Sequence, residues 1–276
     1  MGVITASVVL YNTPKQMLYR LVKCIEKSSV HIQLYLIDNS SVPVSIQACN
    51  EPWLHYIKAP HNGGYGAGHN IAIREVLSTA EFHFVLNPDI YFDAGELEKM
   101  IGFMKSNPAV GQLMPRVIFP DGSLQYLCKL IPAPSDLLFR RFMFGPLKEL
   151  MQKQTEKFEL RFTGYNQTMD IPYLSGCFML FRISALREIG LFDERFFMYP
   201  EDIDISRRMH ARFRTIYFPE ATVVHDHARE SYKNIHALMV HIINMMKYFN
   251  KWGWFHDPER SRVNREILRQ LERMSI

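Results

Sequence analysis

Apolar and polar positions along the first ninety residues predict short strands separated by helices. Residues 4–11 are rich in β-branched side chains and run into Asn12, Thr13 and Pro14, a strand followed by a helix start, with the helix expected over 15–27. Two short apolar strands follow, 34–37, ending in Asp38-Asn39-Ser40-Ser41, and 55–58, ending in a glycine-rich turn. A helix is predicted near 70–78 and a strand over 82–86 that stops at Asn87-Pro88-Asp89. Strands alternating with helices imply an α/β chain with a parallel sheet covered on both faces. Ligands in such folds sit beyond the carboxyl ends of the strands, so Asn12, Asp38, residues 62–68 and Asp89 are expected to face one crevice. Residues 127–164 mix prolines, aromatics and basic side chains, which fits a long excursion with helical pieces, mobile or facing a second substrate. A strand over 173–182, a helix from Ser184, an acidic helix start after residues 196–199, strands near 215–218 and 221–224, and helices from Tyr232 onward complete the pattern.

With 276 residues, 47% of them hydrophobic, the chain has enough apolar material for one large core. We expect one catalytic domain over 1–230, in two halves that meet near 120, and a helical extension over 231–276. The apolar run 237–246 contains His241 and falls short of the roughly 20 residues that cross a bilayer. No basic segment leads into an apolar run and cleavage site at the amino terminus, so a cytoplasmic location is expected. Cys24, Cys49, Cys128 and Cys177 form no C-x-x-C pair and are expected to be reduced thiols. The formal charge of +4 suits phosphate-bearing substrates or an anionic membrane surface and is too small for a nucleic-acid binder. In the extension, Lys233, Lys247, Lys251 and five arginines outnumber the acids, and Trp252, Trp254 and Phe255 offer apolar anchors. Peripheral membrane contact is one expectation for it, and packing on the catalytic domain the other.

Four segments carry candidate chemistry. The turn from Asn62 to Asn70 holds Gly63, Gly64, Gly66 and Gly68 just before the expected helix, where backbone N–H groups can approach a diphosphate. It lacks G-x-G-x-x-G spacing, and an ordinary loop is the alternative reading. Asp89, at a strand end, can ligate a divalent cation or serve only the Asn-Pro-Asp turn. Glu201-Asp202-x-Asp204 follows Pro200 at a helix start, where capping accounts for one acid better than for three, and crowding raises a carboxylate pKa toward that of a base. His225-Asp226-His227 follows a strand, and His225 with Asp89 would suit magnesium or manganese.

With these residues in order, the chain resembles the family 2 glycosyltransferases, inverting enzymes of the GT-A fold, across roughly residues 4–231. The matching blocks are Val9-Leu10-Tyr11-Asn12, Ile37-Asp38-Asn39-Ser40-Ser41, the glycine turn, Leu86-Asn87-Pro88-Asp89, and the stretch from Gly176-Cys177 through Tyr199-x-Glu201-Asp202-x-Asp204 to Arg208 and His225. Asn-Pro-Asp in place of the usual Asp-x-Asp is most similar to bacterial rhamnosyltransferases that use dTDP-rhamnose on polyprenyl-diphosphate-linked acceptors in O-antigen or cell-wall polysaccharide synthesis. The resemblance implies that the half over 1–120 binds the nucleotide sugar through Tyr11, Asn12, Asp38, Asn62, the four glycines, Asn70, Asn87 and Asp89, with Asp38 on the base. It implies that Tyr173, Gly176 and Cys177 lie on the acceptor side. Asp89 and His225 would hold a cation, and Asn87 in place of a carboxylate weakens the expected metal dependence. Asp202 is the implied base, supported by Glu201 and Asp204, with Arg208 reaching the diphosphate.

Inversion needs one base and a stabilised leaving group, unlike a glycosidase, which needs two carboxylates flanking the bond. On a helix beginning near Pro200, Glu201 points about 100° away from Asp202, and Asp204 faces the opposite side, where it can pair with Arg207 or Arg208. Helix geometry alone leaves Glu201 open as the base. A nucleotidyltransferase is the rival enzyme class, but its G-x-G-T-R turn is missing from the first strand; a silent nucleotide- or glycan-binding assembly protein is the rival outside enzymes.

Overall fold

The computed structural model describes residues 2–44, 51–136, 148–226 and 235–274. β1 (Val3–Leu10) sends Ile4, Ala6, Val8 and Leu10 into one core and Thr5 and Ser7 to the opposite face, the period of two of an extended strand. α1 (Lys15–Lys27) buries Leu18, Leu21, Val22 and Ile25, the stripe of an amphipathic helix. β2 (Ile32–Asp38), β3 (Leu54–Lys58), α2 (Tyr65–Val76), β4 (Ala80–Leu86), β5 (Ile90–Tyr91), α3 (Glu96–Ser106) and β6 (Val110–Ile118) complete the first half. Then come β7 (Cys128–Lys129), α4 (Lys148–Phe158), a 3₁₀ turn at Arg161–Thr163, β8 (Met169–Asp170), β9 (Tyr173–Leu174) and β10 (Phe178–Arg182). α5 (Ile183–Ile189), α6 (Glu201–His210), β11 (Arg214–His225), α7 (Ile235–Trp252) and α8 (Pro258–Met274) end the chain.

The main sheet has the order β3-β2-β1-β4-β10-β6-β11-β5, with β8 also on β11. It is mostly parallel: β1 to β4 run together and β6 is parallel to β11, while β10 lies antiparallel between β4 and β6. Helices α1, α3 and α8 bury their apolar stripes against one face, and α2, α5 and α6 cover the other. On the α2 side a buried polar chain crosses the sheet, because Thr5 and Ser7 each lie 2.7 Å from a ring nitrogen of His83 and Ser7 lies 2.7 Å from His69 Nδ1. Burial lowers the pKa of both histidines, His83 to about 3, so both are neutral, and His83 bridges Thr5 and Ser7.

Three elements depart from the sequence pattern. α2 starts at Tyr65 rather than near Asn70, so Gly66 and Gly68 are helical and serve close packing. A Cβ on Gly66 would stand 2.9 Å from Phe192 Cβ, and one on Gly68 would stand 2.6 Å from Val9 Cγ2. The expected strand over 173–182 is broken into β9 and β10 by a turn at 175–177. The segments near 215–218 and 221–224 are one strand, β11, continued through a register shift against β6. In the region 127–164, β7, α4 and the 3₁₀ turn are ordered elements, and residues 137–147 lie outside the described ones.

The C-terminal helices are joined to the sheet domain by both apolar and charged contacts. Met245, Tyr248 and Phe249 of α7 share a core with Tyr173, Phe196 and Ile203. Arg207 of α6 is buried between Asp257, which accepts two bonds of 2.7 Å, and Glu259.

Candidate active site

The carboxyl ends of β4 and β11, the turn between β9 and β10, and the first turn of α6 converge on one crevice. The Asn87 N–H donates to the Cys177 carbonyl at 2.9 Å, which ties the end of β4 to the 175–177 turn. β5 pairs with the last residues of β11, His225 opposite Ile90, and the Asp226 N–H donates to the Asp89 carbonyl at 3.0 Å. That pairing brings His225 Nε2 to 3.4 Å from Asp89 Oδ1 and 3.3 Å from Asn87 Nδ2. Gln125 fixes the ring from behind: its Oε1 lies 3.0 Å from His225 Nδ1, and its amide donates to the His225 carbonyl at 2.8 Å. Burial disfavours a charged ring, but the Cys177 sulfur and the Asp89 carboxylate outweigh it and push His225 up to about 10. Asp89 Oδ1 is buried with no hydrogen-bond partner among the described residues.

An oriented imidazole beside a buried carboxylate oxygen is a donor set that would fit a magnesium or manganese ion once the imidazole gives up its proton. Among the described residues no group of three or more His, Cys, Asp and Glu has the arrangement of a metal site, and His227 lies outside them.

Asp202 and Glu201 form the other half of the crevice. Asp202 Oδ2 accepts the Gly176 N–H at 2.9 Å and faces the Tyr173 hydroxyl at 3.4 Å, while Oδ1 is buried with no hydrogen-bond partner among the described residues. The Tyr65 hydroxyl donates to the Gly176 carbonyl at 2.5 Å, bracing the same turn from α2. Burial raises both carboxyl pKa values, and the Asp202 charge raises that of Glu201 further. The Gly176 N–H, the Lys129 charge and the Tyr173 hydroxyl favour the ionised form of Asp202. Both carboxyls thus hold a proton more readily than exposed acids do, and these contacts favour Asp202 over Glu201 as the ionised member of the pair.

Several residues singled out in the sequence also make bonds within the fold. Asp38 is fully buried and its oxygens accept from Ser40 N–H, Val44 N–H and the Tyr56 hydroxyl at 2.8, 2.8 and 2.6 Å, so it shapes the loop after β2. Burial opposes ionisation there, but these bonds hold its pKa below the usual carboxylate range. Asn70 is consumed by the loop after α5: it bonds the Phe192 carbonyl, the Phe192 N–H and Glu194 Oε1 at 2.9, 3.1 and 2.8 Å. The Arg208 guanidinium donates to the carbonyls of Ile189, Gly190 and Leu191 and to Asp204. Asp204 is fully buried and also accepts from Lys251 and from Trp252 Nε1 at 2.5 and 2.8 Å, a link between α6 and α7.

In the glycine turn, Gly64 N–H is bonded to Asn62 Oδ1 at 3.1 Å and Tyr65 N–H to the Phe197 carbonyl at 3.0 Å, so those two donors are already taken. Tyr11 and Asn12 stay exposed at the end of β1, with Asn12 at a φ of 50° and its N–H on Ser40 Oγ at 2.8 Å. Lys129 and Gln125 were not singled out by sequence. Lys129 is buried with its ammonium 5.2 Å from the centre of the Tyr173 ring; the short apolar Leu127-Cys128 pair before it is the only local sign that it lies inside.

The model of glycosyl transferase family 2 matches residues 5–190. The chain belongs to glycosyl transferase family 2. A relative from Mycobacterium tuberculosis (strain H37Rv), an N-acetylglucosaminyl-diphospho-decaprenol L-rhamnosyltransferase, is 28% identical over 218 residues, which cover 72% of this chain and 68% of the relative. The rhamnosyltransferase WbbL of Escherichia coli K12 is also 28% identical over 218 residues, covering 75% of this chain and 77% of its own. The fold resembles that of GalNAc-T7, solved with UDP, GalNAc and Mn²⁺, at a TM-score of 0.58 and 12% identity; the match covers 81% of this chain and 43% of that one. Its solved neighbours are GT-A glycosyltransferases, and this family 2 member is a glycosyltransferase of the same fold.

Proposed function

We propose that this enzyme transfers L-rhamnose from dTDP-rhamnose, with inversion, to a saccharide carried on a polyprenyl diphosphate, and that it works peripherally at the cytoplasmic face of the membrane during surface-polysaccharide synthesis. The half over residues 1–120 holds the nucleotide sugar and the half over 121–230 receives the acceptor. The observation that carries the chemistry is Asp202, whose Oδ2 is anchored by Gly176 and Tyr173 while Oδ1 is buried and has no hydrogen-bond partner among the described residues. Two rhamnosyltransferase relatives support the choice of sugar, and the diphospho-decaprenol named for one of them supports the lipid-linked acceptor.

In the reaction the acceptor oxygen attacks the anomeric carbon from the face opposite the diphosphate. The bond from that carbon to the diphosphate oxygen breaks, and Asp202 takes the hydroxyl proton through Oδ1. Glu201, the member of the pair that holds a proton more readily, leaves the charge on Asp202. Gly176 and Tyr65 hold the turn against which Asp202 is oriented. Asp89 and His225 would hold a divalent cation, which when bound would supply charge neutralisation for the departing nucleoside diphosphate.

Incubation of the purified protein with a panel of sugar nucleotides, reading released nucleoside diphosphate, tests the donor. dTDP-rhamnose is expected to turn over at least about 10-fold faster than UDP- or GDP-sugars, the lower end of the discrimination that a single methyl or methylene difference allows. Faster release from a UDP-sugar overturns the assignment. In the same assay a chelator should slow turnover, and Asp89→Ala should slow it further because donor placement is also lost. Full activity of Asp89→Ala would remove that residue from the site.

A further inference from the structure

Two of the three membrane anchors suggested by the sequence, Trp252 and Trp254, turn inward. Trp252 donates to Asp204 at 2.8 Å and Trp254 packs on Phe249 with ring centres 5.2 Å apart. The opposite side of α7 is a different surface. Met239, Ile242, Ile243 and Met246 are 50%, 43%, 48% and 48% exposed, a spacing of i, i+3, i+4 and i+7 that forms one apolar stripe along the helix. The inward side, with Asn244, Met245, Tyr248 and Phe249 buried, is already satisfied by packing, so the stripe contributes nothing to the core. The connection to α8 adds Phe255, which is 93% exposed.

We propose that α7 lies flat on an anionic lipid surface through this stripe, an inference that rests on the lipid-linked acceptor proposed above. Charge fits that partner: α7 contains no Asp or Glu, and Lys247 is exposed next to Met246. Size also favours lipid over a second copy of the chain. Four half-exposed side chains make a patch of a few hundred Å², whereas a stable dimer buries about 800 Å² on each partner. No helix among the described residues is long and apolar enough to cross a membrane, which leaves α7 to rest on the surface.

The stripe is also well placed. Asn244 accepts the Phe197 N–H at 2.9 Å, and the His241 ring packs edge-on against Tyr199 at 4.8 Å, just before Glu201 and Asp202. A helix is about 10 Å thick, so lipid under the stripe would sit one helix away from the loop that leads into the carboxylate pair.

Sedimentation of the full chain with vesicles of phosphatidylcholine and phosphatidylglycerol tests this, beside vesicles of phosphatidylcholine alone. Wild-type protein is expected to bind the anionic vesicles, more weakly at high salt. Ile242→Glu/Ile243→Glu should lower the vesicle affinity by about 10-fold or more, and Met239→Gln/Met246→Gln by a smaller factor, with unchanged melting temperatures. Indifference of the wild type to vesicles, or equal binding by a folded double variant, overturns the inference. A wild-type dimer that Ile242→Glu/Ile243→Glu dissolves would overturn it too, assigning the stripe to self-association. Donor turnover in detergent separates this surface from the proposed function: vesicle binding without rhamnose transfer would leave the surface standing and remove the function, and transfer without vesicle binding would do the reverse.

Discussion

Asp202→Asn is expected to lower sugar transfer by about 100-fold or more while leaving nucleotide affinity nearly unchanged. The amide keeps the size of the side chain and can still accept from the Gly176 N–H and face the Tyr173 hydroxyl, so the turn at 175–177 stays in place. What disappears is proton acceptance at Oδ1, the oxygen with no partner among the described residues. The pH profile gives a second readout. Burial raises the Asp202 pKa above the ordinary carboxylate range, and a base works only when ionised. Transfer by the wild type should therefore be full at neutral pH and fall as pH drops through that raised value, at a higher pH than a solvent-exposed aspartate would give. The same limb should be absent from the residual activity of Asp202→Asn. Glu201→Gln should retain most activity, since Asp202 is the favoured ionised member of the pair. Near wild-type transfer by Asp202→Asn, together with a dead Glu201→Gln, would move the base to Glu201.

Arg207→Ala is expected to destabilise the fold by about 3–5 kcal/mol, a large share of the roughly 5–15 kcal/mol that holds a typical domain together. The Arg207 side chain is 2% exposed, donates twice to Asp257 at 2.7 Å, bonds Glu259, and stacks on Trp252 with its guanidinium carbon 4.0 Å from the ring centre. Removing it leaves the Asp257 carboxylate, 3% exposed, buried without its main cation. Urea denaturation of the single variant and of Arg207→Ala/Asp257→Ala should show partial recovery in the double variant, because the stranded charge is gone. A loss below about 1 kcal/mol for Arg207→Ala would mean that α8 is only loosely held against α6.

Where the chain's local pattern determines structure, the sequence is a faithful guide. The apolar stripe of α1 and its proline start define Lys15–Lys27, and the polar ends of β1, β2 and β4 bring Asn12, Asp38 and Asn87 to one side of the sheet. Parallel pairing makes that placement nearly automatic, since adjacent strands end together. Residue roles set by distant partners are hidden. Asn70 reads as a residue of a phosphate turn, but its partners Phe192 and Glu194 are more than 120 residues away. Arg208 looks like a spare cation until α5 ends beside it and offers three carbonyls. The glycines around 63–68 suggest a loop because glycine disfavours helices, yet two of them are helical because Phe192 and Val9 leave no room for a side chain. Lys129 and Gln125 sit in a stretch with no clear period, and only folding shows that one acts on Asp202 and the other orients His225.

The account rests on a single displacement in which one base, Asp202, deprotonates the acceptor as the nucleoside diphosphate leaves. The stereochemistry of the product tests it most directly. With the donor selected by the sugar-nucleotide panel, supplied as one defined anomer, the anomeric configuration of the new glycoside is read by NMR from the one-bond carbon–proton coupling at the anomeric carbon. The arrangement of Asp202 predicts a product of inverted configuration, formed by the wild type and nearly absent with Asp202→Asn. A product of retained configuration would contradict it, since two displacements would then be needed and a single base at Asp202 would not explain them.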